Sequence, residues 1–199
     1  MSKNDVLAVI LSGGKSRRFG GDKATTLLGN KTLIEHTVDK LKNNFKEILI
    51  VTNDSKTNSN NKGLFYTKDI IEGHLGPLVG VLSAMEWVAS NQKDYKWILT
   101  FPCDTPFFSE DLINKIINSK SNSHKKLFFL KSGEKRHNIF GLWSIELRER
   151  LRADIEIGDR KVEDWANKIG TEVIDINDDE SFLNINTKED LKTAEQKIK

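Results

Sequence analysis

Residues 6–23 read Val-Leu-Ala-Val-Ile-Leu-Ser-Gly-Gly-Lys-Ser-Arg-Arg-Phe-Gly-Gly-Asp-Lys. The first six are an unbroken apolar run of strand length, which predicts a short buried strand. A loop rich in glycine and cations follows at once. Four of the chain's 13 glycines (Gly13, Gly14, Gly20, Gly21) and four cations (Lys15, Arg17, Arg18, Lys23) fall within it. Glycine permits close approach and positive φ, so backbone N–H groups can converge on one point while Lys and Arg supply charge. A polyphosphate suits such a cradle; a solvated surface turn is the plainer alternative. The triplet Gly14-Lys15-Ser16 does not make a Walker loop, because the position that needs glycine, five before Gly14, holds Val9. The glycine spacing also departs from the dinucleotide fingerprint. Charge therefore has to come from side chains, with Arg17, Arg18 and Lys23 as the candidates.

Working outward, strand-like and helix-like segments alternate. A helix is expected over 32–44, where Thr32 and Glu35 form a capping-box pair. Strands follow at 47–51 and 65–67, separated by a polar loop. A helix begins at Pro77 or Leu78 and runs to Ser90. A strongly apolar strand covers 97–101, and Ser109 caps a helix through Ile117. Residues 126–130 and 138–143 read as paired strands around the turn at 132–134. Helices are expected to begin near Ser144 and Lys161, with short extended pieces at 172–176 and 182–185. Thr187 and Asp190 cap a closing helix over 187–197. Such alternation means βαβ units and an α/β fold with a mostly parallel sheet, whose ligands bind at the carboxyl ends of the strands.

Composition narrows the function. With 199 residues the chain is expected to form one domain over 1–199, and a net charge of +2 gives no case for a nucleic-acid or other polyanion binder. A polar start and the lack of any long apolar segment give no signal peptide or membrane span. Cys103 is the sole cysteine, so no internal disulfide forms, which fits a cytoplasmic location.

Chemistry is concentrated at predicted strand ends. Asp104 lies between Pro102 and Pro106 after the most apolar strand. A carboxylate held this stiffly suits magnesium, which prefers one or two carboxylates plus phosphate oxygens and water; a turn aspartate is the alternative. Asp69 ends another strand and would touch a sugar hydroxyl, share the metal or merely close the strand. Gly80, inside a helix, costs roughly 1 kcal/mol against alanine, which suggests a close neighbour or ligand. Asn184 and Asn186 alternate along an extended piece and would face one side, either gripping a polar ring or phosphate or serving turn and cap chemistry. Lys135, Arg136 and His137 read as a basic, solvated hairpin edge. No Ser-His-Asp or Cys-His arrangement is visible, and Cys103 reads as structural.

On these residues the chain resembles the molybdenum cofactor guanylyltransferases, members of the glycosyltransferase-A-like nucleotidyltransferase superfamily. The carrying motifs are residues 11–23, Asp69, Gly76-Pro77-Leu78-Val79-Gly80, Pro102-Cys103-Asp104-Thr105-Pro106 and Asn184-Ile185-Asn186-Thr187, in the family's order over nearly the whole chain. The resemblance implies a single Rossmann-like three-layer α/β/α domain of the nucleotide-diphospho-sugar transferase type. It implies transfer of GMP from Mg²⁺-GTP to molybdopterin, the molybdenum cofactor, with pyrophosphate released. Leu11, Ser12, Gly13, Gly14, Lys23, Asp69 and Asp104 would bind nucleotide, and Asp104 would bind Mg²⁺. Arg18, Asn184 and Asn186 would face the acceptor, and Arg18, Lys23 and Asp104 would carry catalysis. Molybdoenzyme apoproteins, or their chaperones, would receive the product. The chain departs from the pattern in having Ser12 where alanine is usual and Asn138 after His137 where proline is common. A position where some members carry asparagine falls at Val51, with Asn53 nearby, and neither is assigned a role. The rival readings are a related enzyme using CTP or a sugar-phosphate acceptor, and a carrier that binds nucleotide and cofactor without turnover.

Overall fold

The computed structural model describes residues 3–13, 26–53, 61–73, 76–121 and 123–198. The chain order begins with β1 (Val6–Leu11), a small hairpin of β2 (Leu27–Leu28) and β3 (Lys31–Thr32), α1 (Leu33–Leu41), β4 (Ile48–Val51) and β5 (Leu64–Thr67). It continues through α2 (Pro77–Ser90), β6 (Trp97–Pro102), α3 (Glu110–Ser119), β7 (Leu127–Ser132) and β8 (Lys135–Ser144). A 3₁₀ turn at Ile145–Leu147 leads into α4 (Arg148–Glu156), α5 (Val162–Ile169) and β9 (Glu172–Asp175); a second, Glu180–Phe182, precedes α6 (Lys188–Lys197).

Seven strands form one sheet in the order β5-β4-β1-β6-β8-β7-β9. The first four are mutually parallel, β8 runs antiparallel to both β6 and β7, and β9 is parallel to β7. After β1 the chain builds outward through β4 and β5, then crosses back over α2 to lay β6 on β1's other side. That reversal makes the carboxyl ends of β1 and β6 the topological switch point, where an open α/β sheet leaves a crevice.

Period-two alternation splits the strands between two faces. Ala8, Ile10, Ile48, Ile50, Leu99 and Phe101 pack with α1 and α3 on one side. Leu7, Val9, Leu49, Val51 and Ile98 pack with α2, α4 and α5 on the other. The expected three layers, helix–sheet–helix, are therefore present. A third, small cluster of Leu28, Leu33, Ile185 and Ala194 joins the β2–β3 hairpin to the segment before α6. No helix among the described residues is long and apolar enough to cross a membrane.

Local signals in the sequence produced their elements where the chemistry is short-range. Thr32 and Thr187 each close a capping box, with Glu35 and Asp190 as reciprocal partners. Pro77 opens α2 at a position whose N–H has no helical partner to lose. Helix α1 ends at Leu41, short of the expected Asn44, and α4 runs to Glu156 across part of the stretch expected to separate two helices. Two readings are corrected. Residues 180–182 turn as a 3₁₀ helix, where a short extended piece was expected to begin at Phe182. Lys135–His137 do not form a solvated edge: β8 lies between β6 and β7, and Arg136 and His137 are half-buried. Pairing with β7, together with Phe182 stacked on His137 and Glu163 and Asn167 of α5 against Arg136, covers them in a way no single segment shows.

Candidate active site at the carboxyl ends of the strands

The parallel strands keep their pairing past their nominal ends. Ser12 N–H donates to the Val51 carbonyl at 2.9 Å, Thr52 N–H to that of Thr67 at 2.9 Å, and Cys103 N–H to that of Leu11 at 3.3 Å. The turns bearing Ser12-Gly13, Thr52-Asn53, Lys68-Asp69 and Cys103-Asp104 consequently emerge side by side at one end of the sheet. Of the expected nucleotide residues, Leu11, Ser12, Gly13, Asp69 and Asp104 all lie at this end. Gly14, Arg18 and Lys23 lie outside the described residues, as do Lys15, Arg17, Gly20 and Gly21.

Asp69 is clasped by Asn53 through two hydrogen bonds. Asn53 Nδ2 donates to its Oδ2 at 2.7 Å, and its own N–H donates to Asn53 Oδ1 at 3.1 Å. The next residue is tied down as well: Ile70 N–H donates to Ser83 Oγ at 3.0 Å, and Ser83 Oγ donates to the Val79 carbonyl at 2.7 Å. A Cβ on Gly80 would stand 3.2 Å from Leu11 Cδ2 and 3.7 Å from Asp69 Oδ1, and one on Gly13 would be 3.6 Å from Asp69 Oδ2. Glycine at position 80 thus lets α2 close onto β1 and the Asp69 turn, which accounts for a residue that helix propensity disfavours. The Asn53 clasp escaped the sequence reading, whose only signal was a polar residue just past an apolar strand.

Asp104 follows β6 in a turn between the two prolines. Thr105 Oγ1 donates to its Oδ1 at 3.1 Å, and its main-chain carbonyl accepts from Ile185 N–H at 2.9 Å. That second bond brings the Asn184–Asn186 segment onto the Asp104 turn. Ile185 is fully buried, so the flanking asparagines take the opposite sense of the alternation. The segment is braced from behind. Ser109 N–H donates to Ser181 Oγ at 3.0 Å, Ser181 N–H donates to Asp178 Oδ1 at 3.0 Å, and Ser132 Oγ donates to Asp179. The Ser181 hydroxyl and N–H hold the Asp178 carboxyl below the usual carboxylate range, with Ser109 and Lys40 adding to them against some burial.

Cys103 is buried, consistent with a packing role. His137, on β8, stacks on Phe182 with ring centroids 3.7 Å apart and planes 9° from parallel. Burial, helped by the nearby Lys135 charge and opposed by Asp179, pushes its imidazole down to about 4.

A mostly parallel sheet with paired turns at a switch point, a clasped aspartate on one side and a second aspartate tied through Ile185 to the segment before α6 on the other, defines a nucleotidyltransferase of the nucleotide-diphospho-sugar transferase fold. Residues 8–173 match the family model for the MobA-like NTP transferase domain, and the chain belongs to that family. Molybdenum cofactor guanylyltransferase from Haemophilus influenzae (strain 86-028NP) is 35% identical over 189 residues, covering 94% of this chain and 96% of its own. The protein of the same description from Shewanella sp. (strain MR-4) is 36% identical over 184 residues, covering 92% and 91%. Among solved structures, molybdopterin-guanine dinucleotide biosynthesis protein A from Archaeoglobus fulgidus superposes with a TM-score of 0.80 at 20% identity, over 96% of this chain and 98% of that one. The 2-C-methyl-D-erythritol 4-phosphate cytidylyltransferase of Francisella tularensis shares the fold, with a TM-score of 0.70 at 15% identity over 96% and 99%.

Proposed function

We propose that this enzyme is a molybdenum cofactor guanylyltransferase. An oxygen of the acceptor's terminal phosphate attacks the α-phosphorus of GTP, the bond to the bridging α–β oxygen breaks, and pyrophosphate leaves. The reading rests on relatives of that description matching over nearly full length. The geometric observation that carries it is the hydrogen bond from Ile185 N–H to the Asp104 carbonyl. It couples the turn assigned to the nucleotide with the segment assigned to the acceptor, as a transfer between two bound molecules requires. The whole chain acts as one nucleotidyltransferase domain in this reading.

In this reading Leu11, Ser12, Gly13, Gly14 and Asp69 bind the nucleotide and Lys23 its phosphates, while Arg18, Asn184 and Asn186 bind the acceptor. Transfer between two phosphates needs no protein nucleophile, so positioning and charge neutralisation lower most of the barrier. Among the described residues no three His, Cys, Asp or Glu side chains converge into a metal cage. Magnesium does not need one: the Asp104 carboxylate, with phosphate oxygens and water, is an all-oxygen donor set of the kind it takes. When bound there, Mg²⁺ neutralises charge on the triphosphate. Asp104 is kept in place by the Thr105 hydroxyl and by the Ile185 bond, and Asp69 by Asn53. The reaction belongs in the cytoplasm, and the product passes to molybdoenzyme apoproteins or their chaperones.

The test is pyrophosphate release with Mg²⁺, molybdenum-loaded molybdopterin and GTP, CTP, ATP or UTP in turn. Release with GTP alone is expected. Release with CTP alone moves the protein to cytidylyl transfer on the same site, and tight GTP binding without release leaves a carrier.

A further inference from the structure

The linker after β6, residues 104–109, and the segment before α6, residues 181–186, lie against each other in opposite directions. They are pinned at both ends. Ile185 N–H donates to the Asp104 carbonyl at 2.9 Å, and Ser109 N–H donates to Ser181 Oγ at 3.0 Å. The first pin joins main chain to main chain. The second depends on a side chain, and that side chain is itself held by Asp178.

The Asp178 carboxylate gathers three donors. Ser181 N–H reaches Oδ1 at 3.0 Å, the Ser181 hydroxyl donates to Oδ2, and the Ser109 hydroxyl donates to Oδ2 at 3.3 Å. Ser109 Oγ also accepts from Leu112 N–H at 3.4 Å as the N-cap of α3. One carboxylate therefore ties the start of that helix to the 3₁₀ turn at Glu180–Phe182. Ser181 is only 2% exposed, so its N–H and hydroxyl have no water to turn to. Leaving a buried donor alone costs about 1–3 kcal/mol. Without the carboxylate the turn relaxes to avoid that cost, and the asparagines just beyond it move. Lys40 of α1 completes the surroundings. Its ammonium donates to the Phe108 carbonyl at 2.9 Å, lies 5.4 Å from the Phe108 ring, and favours the charged form of Asp178.

We propose that Asp178 is a positioning residue for the transfer: through Ser181 and Ser109 it fixes where Asn184 and Asn186 stand relative to Asp104. In a transfer without a protein nucleophile, placement of the acceptor carries much of the barrier lowering. This rests on the guanylyl-transfer reading, which assigns the two asparagines to the acceptor.

The experiment compares the full chain with Asp178→Ala, Asp178→Asn and Glu47→Ala. Glu47 precedes β4 at the opposite end of the sheet, where it accepts from Lys93 Nζ at 2.8 Å and from the Tyr95 hydroxyl at 2.9 Å. Its loss serves as a stability control of similar chemistry. In Asp178→Ala, KM for molybdenum-loaded molybdopterin should rise about tenfold, the scale of one misaligned hydrogen bond. GTP affinity, measured by calorimetry without acceptor, should not change. In Asp178→Asn the amide oxygen still accepts from Ser181 N–H, and the serine hydroxyls can accept from the amide nitrogen. Its acceptor KM should therefore return most of the way to that of the unmodified enzyme. Glu47→Ala should lower Tm and leave both values alone.

A carboxylate that only stabilised the fold would lower the active fraction, and kcat with it, at unchanged KM. Unchanged acceptor KM in Asp178→Ala overturns the proposal, as does an equal loss of GTP affinity or the same KM rise in Glu47→Ala. Where Asp178→Ala does not fold, Ser181→Ala decides, because it deletes the anchor for Ser109 N–H and keeps the carboxylate. Acceptor KM should then rise a few-fold, and no rise overturns the proposal. An unmodified enzyme that releases no pyrophosphate from GTP with acceptor removes the transfer reading itself, and this inference with it.

Discussion

The two halves of the site are built in opposite ways. On the nucleotide side, parallel strands deliver short turns whose groups satisfy one another: Asn53 answers both the carboxylate and the N–H of Asp69, and Ser83 answers Ile70. A single orphaned hydroxyl, Ser12 Oγ, remains there among the described residues. Across the sheet an antiparallel, bulged strand leaves polar atoms unanswered on Arg136, His137 and Asn138, with His137 held by stacking on Phe182. Among the described residues the first half has most of its polar groups answered from within, whereas the second leaves several without a partner. Unsatisfied polarity tells where recognition is still to happen, and satisfied polarity tells where shape is already set.

The sharpest way to break this division is at the residue that belongs to both sides. Asp104→Ala should lower turnover by about 10³-fold with either substrate saturating, the scale on which removing a charge-stabilising group acts. Circular dichroism and Tm should stay near those of the unmodified chain, since Asp104 holds the acceptor segment through its main chain. Activity within a few-fold of the unmodified enzyme would remove the assigned role.

Asn53→Ala confines the damage to one half. Losing two hydrogen bonds to the Asp69 turn, one of them to a carboxylate, should raise KM for GTP about tenfold with acceptor KM unchanged. Equal shifts in both would show that the halves are not separable. On the other side, Thr100→Val leaves the Ile139 carbonyl and Trp143 N–H without their partner. It should cost about 1–3 kcal/mol in stability, seen in denaturant unfolding, while sparing GTP affinity. The smallest effect is one of pH. His137 titrates near 6.5 when unfolded and at about 4 when folded, so the unfolded state binds its proton first. The stability it contributes is complete above pH 6.5 and is lost as pH falls toward 4. Tm of the unmodified chain should therefore fall more steeply over that interval than Tm of His137→Phe, and parallel slopes would refute a buried neutral imidazole.

The nucleotide half was also the more legible one in the sequence. Glycine after an apolar run, proline at a helix start and aspartate between prolines are local signals: Gly13 follows β1, Pro77 opens α2 and Asp104 follows β6. Asn53 was passed over because its partner, Asp69, is brought near only by β4 pairing with β5. The acceptor half depended on context throughout. A bulge exists only relative to a partner strand, so residues 138–140 carry no mark of it. The stretch 135–137 looked like solvated charge because nothing in it reports that α5 and Phe182 pack against it. Phe182 looked like the start of a strand because its aromatic ring suits one; its 3₁₀ turn follows from Asp178 and Asp179 being tied to Ser109, Ser132 and Ser181.

The bond between Ile185 and Asp104 has a consequence for how the protein comes into being. A polypeptide emerges from the ribosome in order, and β1, β4, β5 and β6 can pair as soon as they are out. The Asp104 carbonyl must wait for Ile185, and the cluster of Leu28 and Leu33 must wait for Ile185 and Ala194. During that interval the growing chain has the turns after β1, β4, β5 and β6 but lacks the Asn184–Asn186 segment. A chain interrupted before residue 185 would be without the segment that the proposed transfer assigns to its acceptor.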